Sequence, residues 1–260
     1  MIPAGTIEVW TIGLDGLSED GGRAGPAPDA VPRAWIALLD PDETERCCRL
    51  RRLRDRLAFA AAHALLRLVL GKALNLPPAA PVLTRDRNGK PVLAAPTGTG
   101  LHFNLSHTDG MAAAALSSVG PVGVDVEAVD RPGDLDDALI AFALTPSEAS
   151  ALTGLSETAR AEAFFAAWTA REAVAKADGR GLSLPFTSIS LDRDGRGATI
   201  TAPATVRRWR LWRHHPSARH RLALAGAETF GPGAEPALGA LTITPRDGYA
   251  LTLKRWSPWP

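Results

Sequence analysis

Two short stretches carry side chains that could hold a divalent cation against phosphate oxygens. In Gly123 to Glu127, GVDVE, strand geometry puts Asp125 and Glu127 on one face, about 6–7 Å apart, with Val124 and Val126 on the other. In Phe164 to Gly179, FFAAWTAREAVAKADG, helical spacing aligns Trp168, Glu172 and Lys176 in a row of an aromatic, a carboxylate and an ammonium group. If that row meets the acidic face of the strand, three carboxylates converge. Such a cluster repels itself unless a cation lies within it. Magnesium, with phosphate oxygens completing its shell and Lys176 facing the phosphates, is the usual solution. Each stretch alone has a plainer use, as a strand with a wet acidic face or a helix-stabilising Glu–Lys pair worth about a few tenths of a kcal/mol. The chemistry lies in the combination.

The elements that position these residues belong to a chain of 260 residues with a formal charge of +1, long enough for one large or two small packed lobes. Near-neutral charge argues for a local phosphate site and against a nucleic-acid surface. The start, MIPAGTIEVW, lacks a basic segment followed by an apolar one, and no run approaches the roughly 18 apolar residues of a membrane helix. A soluble cytoplasmic protein, with no membrane partner, is expected. Cys47 and Cys48 are adjacent, cannot easily bridge, and read as two reduced thiols.

Thr6 to Ile12 reads as a strand and Gly13 to Pro32 as a loop. In LDPDE, Asp40 can cap a helix, Pro41 suits its first turn and Glu43 can reach back to the cap. Arg46, Arg49, Arg51, Arg52, Arg54 and Arg56 follow, offering a phosphate seat, and then an apolar helix, Leu57 to Leu70, with His63 and Arg67 in it. The pattern recurs 105 residues on: Leu39, Pro41, Glu43 and Phe59 fall on Leu144, Pro146, Glu148 and Phe164. His63 then falls on Trp168 and Arg67 on Glu172. We infer an α/β (α+β) protein of two similar lobes, each a capped helix leading to a longer buried one, with different chemistry in the two and a single site between them. The lobes span residues 1–120 and 121–230, and residues 231–260 form a C-terminal extension, a hairpin turning at Asp247-Gly248 after a Gly/Pro linker.

Between the helices, RDRNGKPVL turns at Asn88-Gly89 and presents Lys90. FNLSHTDG is a strand end running into a polar turn, where Ser106 and His107 could bind phosphate. Met111 to Leu116 and the acidic strand are expected to form an antiparallel hairpin, bringing His107 and Asp125 toward one region. Arg207 to Arg213 and Arg221 to Gly226 complete the second lobe's sheet, with Trp209 and Trp212 as core aromatics.

GVDVE, the later WTAREAVAKADGRGLSLP, and the upstream GKP and FNLSH together resemble the 4'-phosphopantetheinyl transferases of the monomeric, surfactin-type class, over Leu39 to Leu191. The resemblance implies two lobes related by pseudo-twofold symmetry, each a long helix on a small antiparallel sheet. It implies a monomer that uses magnesium and coenzyme A to modify a serine of an acyl or peptidyl carrier protein, releasing adenosine 3',5'-bisphosphate, in secondary metabolism. By position, Asp125, Glu127 and Glu172 would be metal ligands. Lys176 would meet the pyrophosphate, Ser106 and His107 other coenzyme A phosphates, and Arg46 the 3'-phosphate; Lys90 belongs to GKP. Glu172 or a metal-bound water would take the serine proton. Two positions depart from the pattern: Arg171 stands where the family has lysine, and Glu43 where a relative carries a base. The carboxylates with His107 also suit a metal-dependent phosphodiesterase or nuclease, and Arg171 a non-catalytic relative that binds coenzyme A or carrier proteins.

Overall fold

The computed structural model describes residues 6–14, 31–129, 135–202, 205–228, 236–244 and 250–258. Strand β1 (Ile7–Gly13) and the single turn α1 (Arg33–Ile36) precede α2 (Pro41–Arg49), which starts as its residues dictate. The Asp40 carboxylate accepts the Glu43 N–H at 2.8 Å and the Glu43 carboxylate accepts the Asp40 N–H at 2.9 Å. Helix α3 (Leu53–Leu74) follows and is buried over most of its circumference. It is longer and more apolar than the sequence reading allowed, enough in length and composition to cross a bilayer, but its most apolar window is 83% buried within the protein, as in a core helix.

The polar residues of α3 are used to tie the two helices together. Glu43 Oε1 lies 2.8 Å from His63 Nδ1, Arg67 Nε donates to Glu43 Oε2 at 2.6 Å, and Arg67 Nη2 donates to Asp40 at 2.7 Å. Glu43 is therefore no gap in a basic patch: it is the buried acceptor that makes His63 and Arg67 compatible with the core. Nor do the arginines from Arg46 to Arg56 form one phosphate seat, since Arg56 is buried and Arg49 pairs with Glu45 on the surface.

Strands β2 (Val82–Arg85) and β3 (Pro91–Ala95) form a hairpin around Asn88-Gly89. Strands β4 (His102–Thr108) and β5 (Met111–Ser117) form another, and β5 also pairs with β1. The expected hairpin of β5 with the acidic strand, β6 (Val122–Ala128), does not form: β5 lies between β1 and β4, and β6 pairs with β10 in a different sheet. The reason is burial. Met111 to Leu116 has no polar face, and all six residues are buried, as a central strand requires.

After β6 come α4 (Asp137–Ala143), α5 (Pro146–Ala151) and α6 (Glu157–Asp178). Then β7 (Ile189–Leu191), β8 (Gly197–Ala202), β9 (Thr205–Ser217) and β10 (His220–Ala227) form with β6 an antiparallel sheet of order β6-β10-β9-β8-β7. Trp209 and Trp212 on β9 are buried. Strands β11 (Ala237–Thr244) and β12 (Ala250–Pro258) form the expected hairpin, but β11 pairs in parallel with β1, so this sheet runs β12-β11-β1-β5-β4 and is not wholly antiparallel. The expected turn at Asp247-Gly248, the linker from Gly231 and most of the loop from Gly13 lie outside the described residues.

The chain divides into one unit of Met1–Val119 with Gly233–Pro260 and a second of Gly120–Pro232. Each holds a five-stranded sheet and a capping-box helix followed by a helix of 22 residues. Asp40/Glu43 and Thr145/Glu148 make the same reciprocal cap, so the repeat seen in the sequence is a repeat of local structure.

Burial raises the Glu43 carboxyl, but hydrogen bonds from His63 and Arg67 outweigh it and hold the group below its ordinary value. The stabilisation is present above the unfolded-state value, about 4.3, and is lost as pH falls through the lower folded value. Glu43→Gln should thus cost about 1–3 kcal/mol at neutral pH, by removing the charged acceptor of Arg67 Nε and His63 while Asp40 still holds Arg67 Nη2, and progressively less below pH 4. Urea unfolding across pH measures this; an equal cost at pH 7 and pH 3 would contradict it.

Candidate active site

Helix α6 lies on β6 because Gly123 has no side chain. A Cβ there would overlap the Ala173 carbonyl oxygen and lie 2.5 Å from the Ala177 nitrogen. The contact sets the register of helix against strand. Gly123, Asp125 and Glu127 share the α6-facing side of β6, and the helix runs antiparallel to the strand: Ala177 and Ala173 stand over Gly123, Lys176 bonds Asp125, and Trp168 bonds Glu127. The spacings match. Nine residues of helix, Trp168 to Ala177, rise about 13.5 Å, and four residues of strand, Glu127 to Gly123, about 13 Å.

The row Trp168, Glu172, Lys176 therefore meets the acidic face of β6. Lys176 Nζ donates to Asp125 Oδ1 at 2.6 Å, and Trp168 Nε1 donates to Glu127 Oε1 at 3.2 Å. Asp125 and Glu172 are buried at 2% and 9% exposure. Burial and the neighbouring Asp125 charge push the Glu172 carboxyl up, against the pull of Lys176. Burial works to lower the Lys176 ammonium, but Asp125, Glu172 and Glu127 together raise it. One cation thus serves three carboxylates.

The donor set suits a hard divalent ion, being all carboxylate oxygen and negative even after Lys176 is counted. As the side chains stand, no three Asp, Glu, His or Cys among the described residues enclose an ion. Here Asp125 is engaged by Lys176, the group through which the cluster is neutralised.

Arg171, next to Glu172, faces elsewhere. It is fully buried, donates from Nη2 to Glu148 at 2.6 Å and from Nε to the Phe186 carbonyl at 3.1 Å. It fastens α6 to the cap of α5 and to the turn that follows α6. Replacement of lysine here serves a buried two-point anchor, and moves no proton in the acidic site.

The first unit's candidates separate. Arg46, in the last turn of α2, lies over the Phe59 ring at 5.0 Å, with Nη1 buried and without a hydrogen-bond partner. His107 meets the same ring edge-on at 6.0 Å, and His63 stacks on it at 4.2 Å. Ser106 and His107 were expected in a turn; they lie in β4 with alternating side chains, Ser106 buried and His107 exposed. The structure does not bring these two side chains to one face. Lys90 leaves the β2–β3 turn near His102, whose imidazole is lowered by burial and by the Lys90 charge. His102 and His107 stand five residues, about 17 Å, apart along β4.

Sequence reasoning missed Gly123, Phe59 and the Arg171–Glu148 pair. A glycine inside a strand is itself a signal of close backbone approach. No local signal marks the other two.

The family model described as the 4'-phosphopantetheinyl transferase superfamily matches residues 121–225, and that described as 4'-phosphopantetheinyl transferase, N-terminal, matches residues 27–118. The chain is 30% identical over 200 residues to 4'-phosphopantetheinyl transferase HetI of Nostoc sp., covering 76% of this chain and 79% of that protein. It is 31% identical over 156 residues to a 4'-phosphopantetheinyl transferase of Bacillus subtilis, covering 60% and 67%. With 4'-phosphopantetheinyl transferase Sfp of the same species it shares 29% over 164 residues, covering 62% and 70%.

Two outcomes follow from this geometry. Gly123→Ala should unfold the second unit or push α6 off β6, with loss of soluble protein or of cooperative melting; a variant melting like the wild type would refute the close contact. Since the raised Glu172 carboxyl binds its proton more tightly folded than unfolded, its ionisation reduces stability as pH rises through that window. Without metal, Glu172→Gln should melt at or above the wild-type temperature at pH 7, and clearly lower melting would count against this.

Proposed function

The chain belongs to the 4'-phosphopantetheinyl transferase superfamily and is a transferase, and on that premise we propose that it transfers phosphopantetheine from coenzyme A to a serine of an acyl or peptidyl carrier protein. The observation that carries the reading is the convergence of Asp125, Glu127 and Glu172 on Lys176, within residues 121–225 that match the superfamily model. These three carboxylates would hold magnesium, which when bound supplies charge neutralisation on the pyrophosphate and polarises the phosphorus under attack. Lys176 would stabilise the departing phosphate oxygen.

In the reaction the serine Oγ forms a bond to the phosphorus that bears the pantetheine arm, the pyrophosphate P–O bond breaks, and adenosine 3',5'-bisphosphate leaves with the electron pair. The serine proton needs an acceptor. Glu172 in its ionised form would accept it, since burial and the Asp125 charge make that carboxylate more basic than a free one. Arg46 and His107, set around the Phe59 ring, would take a terminal phosphate of coenzyme A, and Lys90, at the β2–β3 turn near His102, another part of the nucleotide. Ser106 would act through its strand position, as its side chain is buried.

Intact mass spectrometry of an apo carrier protein incubated with this chain, coenzyme A and magnesium tests the proposal. A gain of one phosphopantetheine per carrier is expected, abolished by chelator and lowered on the order of a hundredfold or more by Asp125→Ala. No gain across carriers of the acyl and peptidyl types would sink the reading. Undiminished turnover of Asp125→Ala at saturating magnesium would remove the metal assignment alone.

A further inference from the structure

We propose that Trp168 is a positioning residue which, given the cation site of the preceding section, sets the direction of the Glu127 carboxylate through its indole N–H. Three observations carry this. First, the bond is direct: Nε1 donates to Glu127 Oε1 at 3.2 Å from a residue on the face of α6 that also carries Glu172 and Lys176. Second, the donor is neutral. Lys176 forms an ion pair with Asp125, whereas an indole N–H orients a carboxylate without itself cancelling its charge.

Third, the indole is itself held on several sides. Its ring stacks on Phe164 at 5.9 Å and packs against Phe186 at 5.3 Å and Phe142 at 6.3 Å. Phe186 is held in turn, because its carbonyl accepts from the fully buried Arg171 at 3.1 Å. The buried anchor and the acidic site are therefore connected: Arg171 fixes Phe186, Phe186 backs Trp168, and Trp168 aims Glu127. A ring packed against three others gives up little further freedom when Glu127 takes up a ligand, which is what orientation by an outer group requires.

The test uses manganese as the probe, read by the loss of free Mn2+ signal in electron paramagnetic resonance at pH 8 with coenzyme A present, alongside melting curves. Trp168→Phe keeps an aromatic ring and removes the N–H. It should bind Mn2+ about tenfold more weakly. Trp168→His should recover most of that loss, because the imidazole Nε2 occupies the same place in its five-membered ring as the indole Nε1, and at pH 8 the ring is neutral and can donate. Phe142→Leu, which disturbs a half-exposed neighbour of the indole and leaves the N–H in place, should bind as the wild type does.

Equal affinity in Trp168→Phe and wild type would overturn the inference while leaving the cation site standing. Equal weakening in Trp168→Phe and Trp168→His, both folded, would also overturn it, since the effect would then be packing alone. Should Trp168→Phe fail to fold, Trp168→His decides: near-wild-type affinity supports the inference, and a tenfold loss in a folded protein overturns it. Absence of Mn2+ binding by the wild type would remove the cation reading, and the inference with it.

Discussion

The backbone of α6 rests directly on Gly123, and the geometry of the acidic site follows from that contact. Side chains on β6 repeat every two residues and those on one face of α6 every three or four, so two such rows stay in step only when their rises agree. Over Trp168 to Ala177 and Glu127 to Gly123 they do. The helix touches the strand at its glycine end and meets carboxylates at the other, so one element supplies the close packing and the opposed charges together. The cost of so much buried acid is met locally by Lys176, whose ammonium is stabilised by all three carboxylates.

A second constraint is common to both units. Each capping box ends in a glutamate that must find a partner on the long helix. Glu43 finds Arg67 and His63; Glu148 finds Arg171. In the repeat, however, Arg67 falls on Glu172, and Arg171 falls on Leu66. The anchor in the second unit has moved by one residue, about 100° around the helix. That shift leaves the position of Arg67 open to a carboxylate aimed at β6, and burdens Arg171 with two acceptors, which a guanidinium fork can reach and a lysine could not serve in the same way. The arginine that looked like a departure within the active motif is part of the frame.

The first unit shows how far a motif can mislead about geometry. Ser106 and His107 are adjacent in FNLSH, and adjacency in a turn would let both meet one phosphate. In a strand it sends them to opposite faces, and here the strand extends through both. What gathers basic groups is Phe59, an apolar residue of α3 with Arg46 above it and His107 at its edge.

From the sequence alone one could read both capping boxes, both long helices, the alternation of β6 and the row on α6. Each is encoded by residues within a turn or two of one another, through hydrogen bonds and periodicities that need no distant partner. The pairing of β5 with β1 and β4, the parallel entry of β11 beside β1, the inward turn of Arg171 and the separation of Ser106 from His107 were decided by tertiary structure. Each depends on which surfaces are buried together, and an all-apolar strand or a lone guanidinium settles only where the rest of the chain supplies cover and acceptors. The acidic site lies between these cases: its residues were legible in number and spacing, and their meeting required Gly123 to let a helix lie on a strand.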